Sequence, residues 1–131
     1  MYKIVAILTG LPNFLAGVVW LFNPMAVLVL WGVDDPSHEL VVERRLGVVL
    51  LSVGLMLLLS RNAGPSPARS AISYGMIVGA LAVLAVNTYD FMNNQVSSGI
   101  VAGMTLNLLT ALAYIAIEWR SHRQLKSDSR V

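Results

Sequence analysis

SSGIVAGMTLNLLTALAYIAI, residues 97–117, contains no charged side chain and no proline. As a helix rising about 1.5 Å per residue it spans about 32 Å, enough to cross a hydrocarbon core of about 30 Å. Three further apolar stretches, 4–22, 42–60, and 71–89, have similar length. These four segments predict an all-α integral membrane protein, a four-helix bundle forming a single membrane domain over 1–131. With 56% hydrophobic and 12% charged residues, the composition lies far from the roughly 25% charge of a soluble domain.

Charge placement predicts the orientation. If four helices alternate, Lys3, Arg61, Arg69, Arg120, Arg123, Lys126 and Arg130 fall on one side, with only Arg44 and Arg45 on the other. The positive-inside rule then puts both termini in the cytoplasm of a multi-pass plasma (inner) membrane protein. Trp20, Phe22, Trp31, Tyr89 and Phe91 line the predicted outer boundary, and Tyr2, Tyr74 and Trp119 the inner one. The first stretch lacks a small-residue cleavage site and reads as a retained helix rather than a signal peptide.

Local signals divide the chain further. Pro12 should bend helix one, because proline removes a backbone donor and crowds the preceding turn. Asn23-Pro24 reads as a cap followed by proline at the first helical position, opening a short apolar helix over about 24–33. That piece is too short to span, so it is expected to be interfacial or re-entrant between the first and second transmembrane helices. Asp35-Pro36 repeats the signal before helix two. Asn62, Gly64, Pro65, Ser66 and Pro67 make a turn, and 118–131 is read as a basic, frayed cytoplasmic tail.

Three groups of residues are functional candidates. Gly75 and Gly79 form one GxxxG element and Gly99 and Gly103 another. Each extends at fourfold spacing, through Ala71, Val83 and Asn87 on helix three and through Asn107 and Ala111 on helix four. Such grooves serve packing within one molecule or a homodimer seam. Asn13, Ser52 and Asn107 reach the bilayer midplane, where the two asparagines are expected to bond each other in one polar layer, with Thr9, Thr105 and Thr110 nearby. At the outer boundary, Arg44 and Arg45 lie near Asn87, Asp90, Asp34, Asp35, Glu39, Glu43 and Trp31. Ion pairs there would brace the connection, whereas guanidinium forks would bind a carboxylate or phosphate.

The chemistry of most enzyme classes is not legible. Cysteine is absent and the two histidines, His38 and His122, fall in a connection and in the tail. No ionisable side chain reaches the midplane, against the pattern of a proton-coupled transporter. The adjacent carboxylates Asp34 and Asp35 do not face each other across a cleft as glycosidase chemistry requires. No catalytic residue, metal ligand or cofactor motif is assigned, and nucleic-acid binding is unsupported.

Phe22-Asn23-Pro24 closing helix one, the apolar run to Trp31-Gly32, Arg45-Leu46-Gly47 entering helix two, and Arg61 after it resemble the DoxX-like grouping of small bacterial four-helix membrane proteins. The resemblance implies the four-helix architecture. A few members of that grouping look like membrane subunits of quinone-linked oxidoreductases, which by analogy draws attention to Arg45. The expected function is a non-enzymatic subunit or partner of a membrane assembly, contacting membrane lipids and either a second copy or another membrane protein. The alternative is a binding protein for a lipid, quinone or other lipophilic molecule in an outer-leaflet cavity under Met25 to Trp31, with Arg44 and Arg45 at its mouth. A small membrane isomerase using Asp90 or Glu43 is a third reading.

Overall fold

The computed structural model describes residues 1–31, 40–93, 96 and 98–128, with the backbone alone at 30, 31, 40, 41, 122 and 124–128. Among these residues the chain forms five helices and no strand: α1 (Tyr2–Phe22), α2 (Pro24–Trp31), α3 (Leu40–Ser60), α4 (Pro67–Met92) and α5 (Ile100–Asp128). Three segments, Tyr2–Phe22, Pro67–Met92 and Ile100–Ser121, are long and apolar enough to cross a membrane, which is compatible with a membrane protein.

The expected fourth crossing, α3, does not meet the same standard. Any 18-residue stretch within Leu40–Ser60 includes Glu43, Arg44 and Arg45. Its uncharged part, Leu46 to Ser60, spans only about 22 Å. Helix ends also differ from the sequence-based expectations. The third long helix begins at Pro67 rather than near 71, because the Ser66 side chain accepts the Arg69 backbone N–H at 3.2 Å and Pro67 occupies the first turn. In place of a frayed tail, α5 continues to Asp128.

Packing organises the helices into two antiparallel pairs, α1 with α3 and α4 with α5, joined by α1 against α5. The first pair is set by glycine. A Cβ added at Gly17 would come 2.8 Å from the Gly47 carbonyl oxygen, and one at Gly47 would come 3.0 Å from that of Gly17. One turn pair away, a Cβ at Gly54 would lie 2.8 Å from the Gly10 oxygen. Gly10 and Gly17, like Gly47 and Gly54, are seven residues apart. A heptad spacing keeps both members of each pair on one seam, and the missing side chains let the backbones touch, as small residues do between membrane helices. Leu57, Ala6 and Trp20 are buried alongside.

Proline and asparagine mark the turns of α1. Pro12 sits inside the helix, and the Asn13 carboxamide donates to the Thr9 carbonyl at 2.8 Å, next to the carbonyl that proline leaves without its donor. Asn23 closes α1 by donating its backbone N–H to Val19 at 2.7 Å, and Pro24 starts α2. This short helix packs on α1 and α3 with Leu28 buried.

The core lies at the end of the molecule that holds Met1. Tyr2, Ala6, Leu57, Tyr114 and Ile117 cluster there, with Val5, Val53, Ile72, Met76 and Ile77 packed against them, so α1, α3, α4 and α5 all contribute. In the small-residue stripes of the third and fourth long helices, Ala111 is buried but three of the glycines are uncovered. A Cβ at Gly75, Gly79 or Gly103 meets nothing within 4 Å.

Replacement of Gly17 or Gly54 by Ala should lower stability by about 1–3 kcal/mol through overpacking against backbone. The same change at Gly75 or Gly79, where the added Cβ meets nothing, should raise monomer stability by about 0.5–1 kcal/mol. Unfolding in detergent micelles followed by circular dichroism measures both.

Candidate polar site at the Met1 end

In hydrocarbon there is no water to satisfy a polar side chain, and the apolar helices of this chain solve the problem one turn at a time. Thr9 donates to Val5 (2.8 Å), Ser52 to Val48 (2.8 Å), Thr88 to Leu84 (2.7 Å), Thr105 to Val101 (3.0 Å) and Asn107 to Gly103 (2.9 Å), all within their own helices. This corrects the expected midplane layer. The carboxamides of Asn13 and Asn107 both turn back on their own helices, and Ser52 is exposed. A self-bond needs no ordering of a second helix, so it forms in preference to a bond across the molecule.

The polar link between α1 and α5 is instead a pair of hydroxyls. Thr9 Oγ1 and Tyr114 Oη lie 3.0 Å apart, fully buried. Since the Thr9 proton is given to Val5, Tyr114 donates and Thr9 accepts. By the same accounting Tyr2 donates to Ser60 Oγ at 3.0 Å, because the Ser60 hydroxyl is spent on Leu57. The Tyr2 and Tyr114 rings meet edge to face with centroids 6.4 Å apart.

Two charges are buried beside this pair, Arg69 at 7% and Glu118 at 5% exposure. Each is held by a serine of the opposite helix. Arg69 Nη2 donates to Ser121 Oγ at 2.7 Å, and Ser70 donates to Glu118 Oε2 at 2.9 Å. The guanidinium also stacks over the Tyr2 ring, 5.2 Å from its centroid. Among the described residues, Arg69 Nε and Glu118 Oε1 are buried without a hydrogen-bond partner. A cavity of about 220 Å³ opens at this end, with Tyr2, Pro65, Arg69, Ile117, Arg120 and Ser121 among its walls.

The outer constellation expected from the sequence is only partly described, and its described members fall on different helix pairs. Arg44 and Arg45 are exposed on α3, which packs on α1 and α2, while the half-buried Asn87 and Asp90 belong to α4, which packs on α5. Asp34, Asp35, Glu39 and His38, and the side chains of Trp31, His122 and Lys126, lie outside the described residues. Gly99 precedes α5 and is exposed. Among the described residues no three of His, Cys, Asp and Glu stand together as a metal site would need.

Sequence reasoning counted Arg69 only as a topology charge and passed over Glu118. The available signal was Ser66-Pro67, whose cap and proline place Arg69 and Ser70 in the first turn of a helix rather than in a loop. On antiparallel neighbours, that turn faces the C-terminal end of the 97–117 stretch, where Glu118 follows.

A double-mutant cycle with Thr9→Val and Tyr114→Phe should give a coupling near 0.6 kcal/mol, with about 1.7 kcal/mol as the upper range for hydrogen bonds between membrane helices. Unfolding of the four variants in micelles measures it.

No protein-family model, curated protein or solved structure matches this chain.

Proposed function

We propose that this chain is a non-enzymatic multi-pass protein of the plasma membrane, serving as a subunit of a membrane assembly by receiving a partner's transmembrane helix on α4. One observation carries the reading. Ala71, Gly75, Gly79 and Val83, at fourfold spacing, are all exposed, and the space where a Cβ would stand at Gly75 and Gly79 is empty. Glycine weakens a helix by about 0.5–1 kcal/mol relative to alanine, so its use at two stacked, unfilled positions favours a close-approaching backbone from outside. The glycines of α1 and α3, by contrast, are already covered within the molecule.

In this reading α3 returns across the membrane beside α1, with Glu43, Arg44 and Arg45 at the outer boundary and both chain ends in the cytoplasm. The antiparallel contact of Gly10 with Gly54 and Gly17 with Gly47 supports it, because a helix paired along its length with a crossing helix shares its depth. The DoxX-like resemblance belongs to the same proposal, with a supporting membrane subunit as its implied role.

Two experiments test the proposal. Gly75→Leu with Gly79→Leu should abolish association seen by native mass spectrometry of gently extracted protein, while monomer stability does not fall, since each glycine removed relieves the helix of a cost of about 0.5–1 kcal/mol. Association unaffected by the double change would reject the α4 face. Since the chain has no cysteine, single-cysteine labelling in intact cells reads orientation directly. Gly64→Cys should be protected from an impermeant maleimide and Met92→Cys labelled, and the reverse pattern would overturn the topology.

A further inference from the structure

The cavity at the Met1 end brings together features that the subunit reading does not use. Two arginines, Arg69 and Arg120, contribute to its walls, together with the hydroxyl-bearing Tyr2 and Ser121 and the apolar Pro65 and Ile117. Among the described residues, no acidic side chain lines it. Glu118 is close in sequence to Arg120 but is not among the walls, and its Oε2 is taken by Ser70.

Arg69 is the informative member. A guanidinium has five N–H donors, yet among the described residues this one, more than nine-tenths buried, gives one hydrogen bond, to Ser121 Oγ, and leaves Nε without a partner. Leaving a donor of a buried charge unsatisfied is costly, and a charge so placed needs a counter-charge or further acceptors. Stacking on Tyr2 orients the plane of the guanidinium without satisfying its donors. At about 220 Å³ the cavity exceeds by several-fold the roughly 30 Å³ that one water occupies in the liquid. It lies where the apolar spans of α1 and α5 meet the basic residues Lys3, Arg61 and Arg123.

We infer that this cavity binds an anionic phosphate group, with Arg69 as the buried fork, Arg120 as the outer cation and Ser121 orienting Arg69. Arginine suits this role because its planar donors match two phosphate oxygens at once. The apolar walls provided by Pro65 and Ile117 give the phosphate a lipid-like neighbour, and the position at the end of the spans is the depth of a headgroup.

The test is native mass spectrometry of the full chain in detergent, titrated with palmitoyl-oleoyl phosphatidylglycerol and, separately, with phosphatidylcholine of the same chains. The wild type should bind the anionic lipid about tenfold more tightly, the size of one charge-assisted hydrogen bond. Arg120→Gln, a change at an exposed residue, should remove most of that preference. Arg69→Lys keeps the charge but loses the fork and should reduce it several-fold, with the Tyr2 and Tyr114 near-ultraviolet signal reporting whether the core is intact. Arg123→Gln, at the same end but outside the cavity, should leave it unchanged. Equal losses in the Arg120 and Arg123 variants would mean general attraction to the basic tail and overturn the proposal, as would an Arg120 variant with full preference. Millimolar inorganic phosphate added to the lipid complex separates the sources. Displacement of the lipid identifies a soluble phosphate compound as a ligand of the site, and no displacement identifies the lipid headgroup.

Discussion

The approach of α1 to α3 through paired glycines sets the positions of the other elements. Gly10 against Gly54 and Gly17 against Gly47 bring two backbones into van der Waals contact. That contact fixes the depth of α3 relative to α1 and places Ser60 beside Tyr2. Tyr2 in turn meets the α5 ring of Tyr114 and carries the guanidinium of Arg69 on its face. Loosening the first helix pair would therefore displace the floor of the polar site. Lipid tails are as apolar as leucine, so no hydrophobic force draws these helices together within a bilayer. Close packing must supply the attraction, and glycine is the residue that allows the most of it.

The second pair is built differently. Among the described contacts of α4 and α5, the polar ones gather at one end, with Arg69 on Ser121 and Ser70 on Glu118. The glycines of these two helices stay outside the contact. The molecule thus spends one set of small residues on its own assembly and leaves another uncovered. Among the described residues the buried charges Arg69 and Glu118 lie at the Met1 end, while most polar groups farther along the helices, such as Asn13, Thr88, Thr105 and Asn107, bond one turn back on their own helix. This separation follows from dielectric depth. A charged pair near the end of the spans retains access to water and headgroups, whereas the same pair at the midplane would lose both.

How far each feature could be read in advance depends on whether it is local. The Asn23-Pro24 break and the start of α2 were legible because proline imposes its geometry on its neighbours. The start of α4 is equally local, yet its Ser66-Pro67 cap sits at the end of a run of turn residues, and the structure shows it opening a helix with Arg69 in the first turn. The expected Asn13 to Asn107 bond failed for a different reason. A carboxamide within reach of its own helix carbonyl has a partner before any tertiary contact forms. The Gly75 and Gly103 stripes were visible as patterns, but nothing in them tells a covered face from an open one, and the covering glycines proved to be Gly10, Gly17, Gly47 and Gly54.

The amino-acid sequence alone determined that this chain is helical, that 4–22, 71–89 and 97–117 are apolar over membrane-spanning lengths, and that basic residues flank those stretches. These properties follow from composition and period along a single helix, which no neighbour can alter. Only the tertiary structure decided which glycines touch and that Tyr114 finds Thr9 across the molecule. The same packing buries Arg69 and Glu118 and leaves a cavity beside the arginine. These outcomes depend on rotation and depth of one helix against another, and those are set by close contacts spread over residues far apart in the chain.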